Sequence, residues 1–372
     1  MVIAFLIIAL LYGGIHFYLA RRMEKGLSAL YPIKKPVFYT VFAILSLGAP
    51  LNFLFPKNNA FSSAVGLWGS VWLGVFVYLL LFTVFADLLW LVFRFTPLKK
   101  SLNNKARFFR AAAVLLFTLA VTVTGLLGGA KVEKTSYDLG GHGEELKIAL
   151  MSDIHLGAAG SLHRLEQAVF TINEMDADLV CLAGDIFNDD FHSVNDPHRV
   201  KELLLSLCSR YGVYAVLGNH DSGETLSEMR AFLEEAGVKL LLDEAITIEE
   251  KFVLAGRLDL HPIGKTEGLK RGNLEKFLPE TSLPVIVMDH NPKEASLYGE
   301  NISLVLSGHT HKGQIFPGSL ITGAMYTVDY GVYQKDTSSP HVVVSSGTGL
   351  WGPPMRVGTK NEVVEILFSL EQ

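Results

Sequence analysis

Five short polar motifs in this chain carry side chains of the kinds that bind metal ions. Each one follows a short apolar run, and in chain order they are Asp153-Ile-His155, Gly184-Asp185, Gly218-Asn219-His220-Asp221, His290 and Gly308-His309-Thr310-His311. The two Asp, one Asn and four His that they offer as ligands are enough to hold two divalent ions. Carboxylates and imidazoles together suit Mn, Fe or Zn better than Ca. Two such ions held side by side are suited to the hydrolysis of phosphate esters.

One of the motifs also carries a candidate proton donor. A His near the leaving oxygen, oriented by an acid, can donate a proton to it. His220 and Asp221 have the right types, so we expect His220 to act on the leaving group and Asp221 to orient it. Any single motif also has a structural interpretation, because glycine beside a polar residue is ordinary turn chemistry. A lone His290 is more often a satisfied core residue. The five motifs together favour a site.

The elements around the motifs indicate an α/β protein. Short apolar runs alternate with amphipathic stretches from residue 146 onward, which predicts strands at 146–151, 178–183 and 213–217 and helices at 162–175, 198–209 and 226–236. Five further strands are predicted at 252–255, 285–288, 304–307, 341–345 and 363–367. This order predicts a layered sandwich. In such folds ligands bind beyond the carboxyl ends of the strands, which is where all five motifs fall.

The N-terminal part of the chain has a different composition. Residues 1–110 carry 12 Lys and Arg against two acids, whereas the remaining residues carry 20 against 35. Four apolar segments, at 1–20, 37–55, 63–93 and 111–130, are each long enough for the roughly 20 residues that a membrane span needs, and the third exceeds one span. The second is interrupted by Gly48, Pro50 and Asn52, so a re-entrant or interfacial segment is the alternative. The first lacks a basic region before its apolar stretch, which favours a retained span over a signal peptide.

The loop charges predict an orientation. Basic residues concentrate at 21–36 and 94–110, and the positive-inside rule places both loops in the cytoplasm. With four spans, the motif-bearing part then faces the extracytoplasmic side. If the second segment does not cross, the parity changes and that part is cytoplasmic.

Three further residues are singled out by their position. Asp87 lies in the third apolar segment, where an acid is by default a functional candidate. The alternative is a carboxylate hydrogen-bonded to another helix. Cys181 and Cys208, the two cysteines of the chain, lie in apolar and helical patterns, and we expect both to be buried thiols.

In their order and spacing, the five motifs resemble the signature of the calcineurin-like metallophosphoesterases, and the likeness covers about residues 146–372. Within that family the chain is similar to the bacterial branch related to YkuE and YaeI, through His311-Lys312-Gly313-Gln314-Ile315, Ser346-Gly347-Thr348-Gly349 and Pro354-Met355-Arg356. The apolar N-terminal region adds a weaker likeness to transmembrane metallophosphoesterases.

The resemblance implies a four-layer αββα sandwich and a set of roles. One metal ion would be held by Asp153, His155, Asp185 and His311. The other would be held by Asp185, Asn219, His290 and His309, so that Asp185 bridges the two. His220 would stabilise the transition state or protonate the leaving group, with Asp221 orienting it. Where relatives often have an acid three residues after the Gly-Asp aspartate, this chain has Asn188.

We therefore expect a helical membrane anchor at 1–130, a linker at 131–145 and a metallophosphoesterase domain at 146–372. The predicted enzyme is integral to a bacterial cell membrane. It uses two divalent ions (Mn, Fe or Zn) and a metal-bridging hydroxide to cleave a phosphate ester or pyrophosphate, lipid-linked because of the anchor. Its expected partners are that substrate and the membrane, and no nucleic acid. The alternatives are a transporter or sensor with a regulatory phosphoesterase-like domain, and a metal-binding scaffold without turnover.

Overall fold

Four α-helices form the N-terminal part of the chain in the computed structural model, which describes residues 2–52, 60–140 and 143–370. They are α1 (Val2–Leu27), α2 (Lys35–Asn52), α3 (Ala60–Arg94) and α4 (Asn104–Gly129). By length and composition, two described stretches can cross a membrane, Phe61–Arg94 in α3 and Asn104–Gly129 in α4. The third and fourth predicted spans meet this criterion, whereas the described parts of α1 and of the shorter α2 do not. The end of the second segment, at 53–55, lies outside the described residues.

Polar and glycine contacts hold these helices together. The carboxylate of Asp87 in α3 accepts a hydrogen bond from the hydroxyl of Tyr18 at 2.6 Å and lies 2.7 Å from Arg22 and 2.9 Å from Arg110. It therefore ties α3 to α1 and α4, which is the structural role that the sequence left open for it. Gly48 and Gly69 lie where α2 meets α3, and a Cβ at Gly69 would collide with the backbone of Gly48.

Two six-stranded sheets form the rest of the fold. The first has the strand order β1-β12-β2-β3-β4-β5 and the second β10-β11-β9-β8-β7-β6. The first sheet contains β1 (Val132–Asp138), β2 (Glu145–Met151), β3 (Leu179–Ala183), β4 (Val213–Val216), β5 (Val238–Leu240) and β12 (Asn361–Ser369). The second contains β6 (Glu244–Ile248), β7 (Phe252–Gly256), β8 (Val285–Met288), β9 (Leu304–Ser307), β10 (Gly331–Tyr333) and β11 (His341–Val344). Strands β2, β3 and β4 run parallel to one another, as do β7, β8 and β9.

Alternating side chains assign the layers. Ile148 and Leu150 of β2 point into a core shared with Ile286 and Met288 of β8, so the two sheets pack face to face. The intervening residues of β2 pack instead against three helices, α5 (Ser161–Met175), α6 (Pro197–Leu205) and α7 (Leu226–Glu235). Strands buried on both faces have continuous apolar sequences. Most of these strands were therefore predicted from the sequence.

The fourth layer differs from the expected αββα sandwich. The outer face of the second sheet is covered by loops and short 3-10 helices at Leu274–Lys276 and Pro292–Leu297, which contribute Leu274 and Ala295 to its core. The regular helix on this half, α8 (Gly318–Met325), has no buried residue. The described residues thus form an α-β-β sandwich with an irregular fourth layer.

Two further expectations need correction. The predicted linker at 131–145 contains β1, which pairs in parallel with β12. β1 is mostly polar, because it lies at a sheet edge where Lys134 faces Glu365 at 2.8 Å, so its sequence lacks the apolar signal of a buried strand. Cys208 is exposed rather than buried, since α6 ends at Leu205 and the chain then loops out, whereas Cys181 is buried as predicted. By compactness, the chain divides into residues 1–126 with 352–354 and residues 127–351 with 355–372.

Candidate metal centre

The five motifs meet at one edge of the sandwich. Asp153 follows β2, Asp185 follows β3, and Asn219 follows β4, so the three lie beyond the carboxyl ends of neighbouring parallel strands. His290 and His309 follow β8 and β9 of the second sheet in the same way. Backbone hydrogen bonds join these loops, from Asp153 N–H to Gly184 at 2.9 Å and from Gly308 N–H to His290 at 3.0 Å.

One group of ligand atoms consists of Asp153, His155 and His311, which are all buried. Their ligand atoms lie within 4.8 Å of one another. Nε2 of His311 is 3.1 Å from Nε2 of His155 and 3.4 Å from Oδ1 of Asp153. Two imidazole nitrogens and a carboxylate oxygen that converge in this way form one face of a coordination shell for a divalent ion.

A second group consists of Asp185, His290 and His309, with Asn219 beside it. Nε2 of His290 lies 3.2 Å from Oδ2 of Asp185, and Oδ1 of Asn219 lies 2.7 Å from Nδ1 of His309 and 3.3 Å from His290. The same Oδ2 of Asp185 is 3.8 Å from Nε2 of His155 in the first group. Asp185 therefore lies between the two groups, and the seven predicted ligands come together.

The backbone at the ligands adopts a rarely populated conformation. Five of the seven have a positive φ, at 52° for Asp153, 50° for His155, 50° for Asp185, 72° for His309 and 49° for His311. Such angles are uncommon for residues with a Cβ and concentrate at functional sites, where the surrounding structure holds them. Here that conformation occurs in the loops that follow the strands, where the candidate ligands converge.

Glycine at two motif positions allows the loops to approach this closely. A Cβ at Gly218 would collide with the backbone and carboxylate of Asp185, and a Cβ at Gly308 would collide with the carboxylate of Asp153. Neither Gly218 nor Gly308 has a positive φ, so neither is needed for its backbone angles. The glycines of the third and fifth motifs therefore allow close contact between ligand-bearing segments.

Burial keeps three of the imidazoles neutral. Desolvation lowers the pKa of His155 to about 4 and that of His309 to about 3, and it lowers the pKa of His311 well below its ordinary value. A neutral imidazole has a free lone pair, which is the form that binds a metal ion. The donor set thus fits divalent ions in chemistry as well as in geometry.

His290 and Asp185 behave as a charged pair. Burial opposes charge on His290, but the negative charge of Asp185 and the hydrogen bond between them raise the pKa of His290 well above its ordinary value. For the same reason, and against the effect of burial, His290 holds the pKa of Asp185 well below its usual range. Asp185 is therefore a carboxylate, the state that a ligand between two cations requires.

His220 is oriented by an acid that the sequence interpretation missed. Nδ1 of His220 lies 2.6 Å from Oδ1 of Asp189, and the backbone N–H of His220 donates to Asp185 at 2.8 Å. Burial favours the neutral imidazole, but the hydrogen bond to Asp189 raises the pKa of His220 above its ordinary value. Asp189 directly follows Asn188, which stands where relatives often have an acid. An acid one residue further along the chain was the sequence signal for this role.

The orienting role predicted for Asp221 needs correction. Its buried carboxylate accepts hydrogen bonds from the backbone N–H groups of Ile186 at 3.1 Å, Phe187 at 2.7 Å and Gly218 at 2.9 Å. These contacts join its carboxylate to the loop after β3. Asp221 fastens the Asp185 loop to the loop after β4, which makes it a positioning residue.

The two phenylalanines of the loop at 186–197 pack into the core. Phe187 and Phe191 pack against Phe232 of α7, with ring centroids 6.0 and 5.2 Å away, and His192 lies 3.5 Å from Glu228. The aromatic rings that flank the centre come from elsewhere, because Trp351 lies 6.3 Å from the ring of His220 and Tyr326 lies 6.1 Å from that of His309.

A buried arginine supports the ligand His311. Arg356 is almost fully buried, and its guanidinium donates to the carbonyl oxygen of His311 at 2.9 Å and to those of Ser346 at 2.7 Å and Gly349 at 2.9 Å. Its Nε donates to Asn361 at 2.7 Å. Burial lowers the pKa of Arg356 to about 9, so it is still protonated at neutral pH. The forked guanidinium group of Arg356 thereby joins the fifth motif to the loop after β11.

Comparison with known proteins agrees with this geometry. The sequence profile of the calcineurin-like phosphoesterases matches residues 146–313. An uncharacterized metallophosphoesterase of Campylobacter jejuni is 27% identical over 96% of this chain and 96% of its own length. The uncharacterized metallophosphoesterase YkuE of Bacillus subtilis is 33% identical over 62% of this chain and 81% of its own. A transmembrane protein with a metallophosphoesterase domain from Danio rerio is 30% identical over 70% of this chain and 63% of its own.

Proposed function

Because this chain belongs to the calcineurin-like phosphoesterase family and is a metal-dependent phosphoesterase, we propose that it is anchored in a membrane and hydrolyses a lipid-linked phosphate ester or pyrophosphate. The observation that carries the catalytic part is the pair of ligand groups on either side of Asp185. A single group would suit a structural ion, whereas two adjacent groups with the Asp185 carboxylate between them suit the two-ion hydrolysis of a phosphoryl group.

The residues divide the work as follows. Asp153, His155, Asp185 and His311 would hold one ion, and Asp185, Asn219, His290 and His309 would hold the other. When bound there, two divalent ions would supply a water of lowered pKa and positive charge to neutralise the phosphoryl oxygens.

His220, held by Asp189 through a contact that also raises its pKa, donates a proton to the departing oxygen. The loop contacts of Asp221 and the guanidinium fork of Arg356 keep the ligands in register.

The lipid-linked substrate is supported by the helices of the same chain. α3 and α4 are long and apolar enough to cross a membrane, and only residues 130 and 131 separate the end of α4 from the start of β1. When the chain is inserted in a membrane, so short a connection keeps its catalytic domain at the surface of the bilayer. The zebrafish relative, a transmembrane protein by its name, supports the same arrangement. We place the catalytic domain on the extracytoplasmic side of a bacterial membrane, with four spans, on the strength of the basic loops at 21–36 and 94–110.

The test uses the full chain in detergent. With Mn²⁺ present, it should hydrolyse an aryl phosphodiester, and Asp185→Asn and His220→Ala should each reduce kcat by at least about 100-fold. The matched control Asp190→Asn changes an acid whose side chain caps a neighbouring turn, and its activity should stay within about twofold of wild type. Wild-type rates in Asp185→Asn and His220→Ala would refute the proposed centre.

The lipid part needs a separate comparison in nanodiscs. Phosphatidic acid and a bilayer-embedded polyprenyl diphosphate should be hydrolysed with a kcat/KM higher than that of their short-chain soluble analogues. Equal or lower values for both lipids would reject the lipid-linked class and leave the phosphoesterase assignment intact.

A further inference from the structure

The helix beside the metal centre leaves its apolar side chains exposed. Leu320, Ile321 and Met325 of α8 are 65, 60 and 69% exposed, and no residue of this helix is buried. The surrounding stretch, residues 315–328, contains no charged residue. A soluble protein rarely leaves such a segment in contact with water unless it serves an interaction.

α8 is fastened to the metal-binding loop. The hydroxyl of Thr322 donates to the carboxylate of Asp329 at 2.7 Å, and the hydroxyl of Thr310, between two ligands, donates to the carbonyl oxygen of Asp329 at 2.6 Å. The residue that follows the helix, Tyr326, packs against the ring of the ligand His309. The exposed apolar face is therefore part of the rim of the centre.

Aromatic residues add to this rim. Trp351, which is 55% exposed, lies beside His220, and Tyr326 lies beside His309. Tryptophan and tyrosine are the side chains that concentrate at the interface between a membrane and water. An uncharged apolar helix together with these rings has the composition of a surface that lies in the headgroup region of a bilayer.

We infer that the exposed face of α8 docks on the surface of a lipid bilayer and holds the metal centre next to lipid-borne phosphate. The occupant is a bilayer because the same chain carries two helices of membrane-spanning length, the second of which ends two residues before β1. A bilayer is thus always within reach of this domain in a membrane-inserted chain. The inference rests on the proposed membrane anchoring and narrows the proposed substrate to one presented at the membrane surface.

The experiment places spin labels on the full chain in nanodiscs of phosphatidylcholine and phosphatidylglycerol. Cysteines are introduced one at a time at Leu320, Ile321 and Met325 in a Cys208→Ser background, in which the remaining Cys181 is buried. Leu205, which is 57% exposed, provides the control position. It ends α6, at the sheet edge opposite the centre, because the chain leads from there back to the start of β4.

Labels on α8 should collide several times more often with oxygen than with a water-soluble nickel chelate, and the label at Leu205 should show the reverse. Adding Leu320→Glu to the chain labelled at Met325 should raise its accessibility to nickel several-fold, and Leu205→Glu should leave it unchanged. Equal accessibility at α8 and at Leu205 would overturn the inference. So would dipolar broadening between labels on two copies, which would assign the face to self-association. These readouts need no turnover, so hydrolysis of an aryl phosphodiester by the same samples tests the phosphoesterase activity separately.

Discussion

The carboxylate of Asp189 lies 2.6 Å from Nδ1 of His220, and this contact leaves Nε2 of the imidazole as the atom that can give a proton to a leaving group. The acid next to His220 in sequence, Asp221, makes no such contact, because its oxygens are engaged by three backbone N–H groups. We therefore expect substitution of Asp189 and substitution of Asp221 to have different effects on the enzyme.

Loss of Asp189 should weaken proton donation selectively. Asp189→Asn should lower kcat about tenfold for an alkyl phosphodiester, whose leaving oxygen needs a proton, and by less than about twofold for a nitrophenyl ester, whose leaving group does not. Steady-state kinetics with a series of leaving groups measures the difference. Asp190→Asn should leave the slope of that series unchanged. An equal loss for all leaving groups would show that Asp189 acts on something other than the proton.

Loss of Asp221 should destabilise the domain. Asp221→Ala leaves three buried N–H groups without an acceptor, which we expect to reduce the free energy of unfolding by about 3 kcal/mol and the melting temperature by about 5–10 °C. His220→Ala, with a side chain that lies at the edge of the site, should change the melting temperature by less than about 2 °C. Differential scanning fluorimetry of metal-free samples in detergent compares the two. A stable, inactive Asp221→Ala enzyme would favour a direct catalytic role instead.

The two ligand groups should lose metal independently. Purified wild type should carry two divalent ions per chain, and His311→Ala and His309→Ala should each carry about one, because each removes a ligand from a different group. Inductively coupled plasma mass spectrometry gives the count after dialysis against Mn²⁺. Two ions in both variants would mean that these histidines are dispensable for binding. The conservatively altered Asp185→Asn should reduce occupancy of both sites.

Arg356 should affect metal affinity without contacting the ions. Arg356→Lys cannot reproduce the fork that joins the carbonyl oxygens of His311, Ser346 and Gly349, so we expect affinity to fall by about 10- to 100-fold. Mn²⁺ titration of the metal-free protein measures this affinity. Activity at saturating Mn²⁺ should return to within about threefold of wild type if Arg356 only positions the loop. Arg199→Lys, at an exposed position, is the control.

The side of the membrane can be read from a native cysteine. Cys208 is exposed and Cys181 is buried, so a membrane-impermeant maleimide added to intact bacterial cells reports on Cys208 alone. If the catalytic domain is extracytoplasmic, labelling should occur before lysis, and Cys208→Ser should abolish it. Labelling only after lysis would reject the four-span topology and place the domain in the cytoplasm.

Most strands, and the positions of the candidate ligands after them, could be predicted from the sequence for the same physical reason. Buried strands such as β3 are continuous apolar runs, and the candidate ligands follow them within a few residues. The sequence therefore shows both the residue types of the ligands and their place at the strand ends. The partner of His220 was not accessible, because adjacency to Asp221 suggested a contact that the competing backbone donors prevent. β1 was missed since an edge strand needs few apolar residues. The apolar run of α8 carried no sign that it would be left uncovered.

The position of β12 has a consequence for how the enzyme is made. This strand lies between β1 and β2, so the first sheet joins the beginning of the catalytic domain to residues 361–369. During synthesis, the apolar helices leave the ribosome more than 200 residues earlier and can enter the membrane while that sheet still lacks an inner strand. In a membrane-inserted chain, insertion would therefore precede completion of the metal centre's scaffold, and a truncated chain that stops before β12 would be unable to close its first sheet.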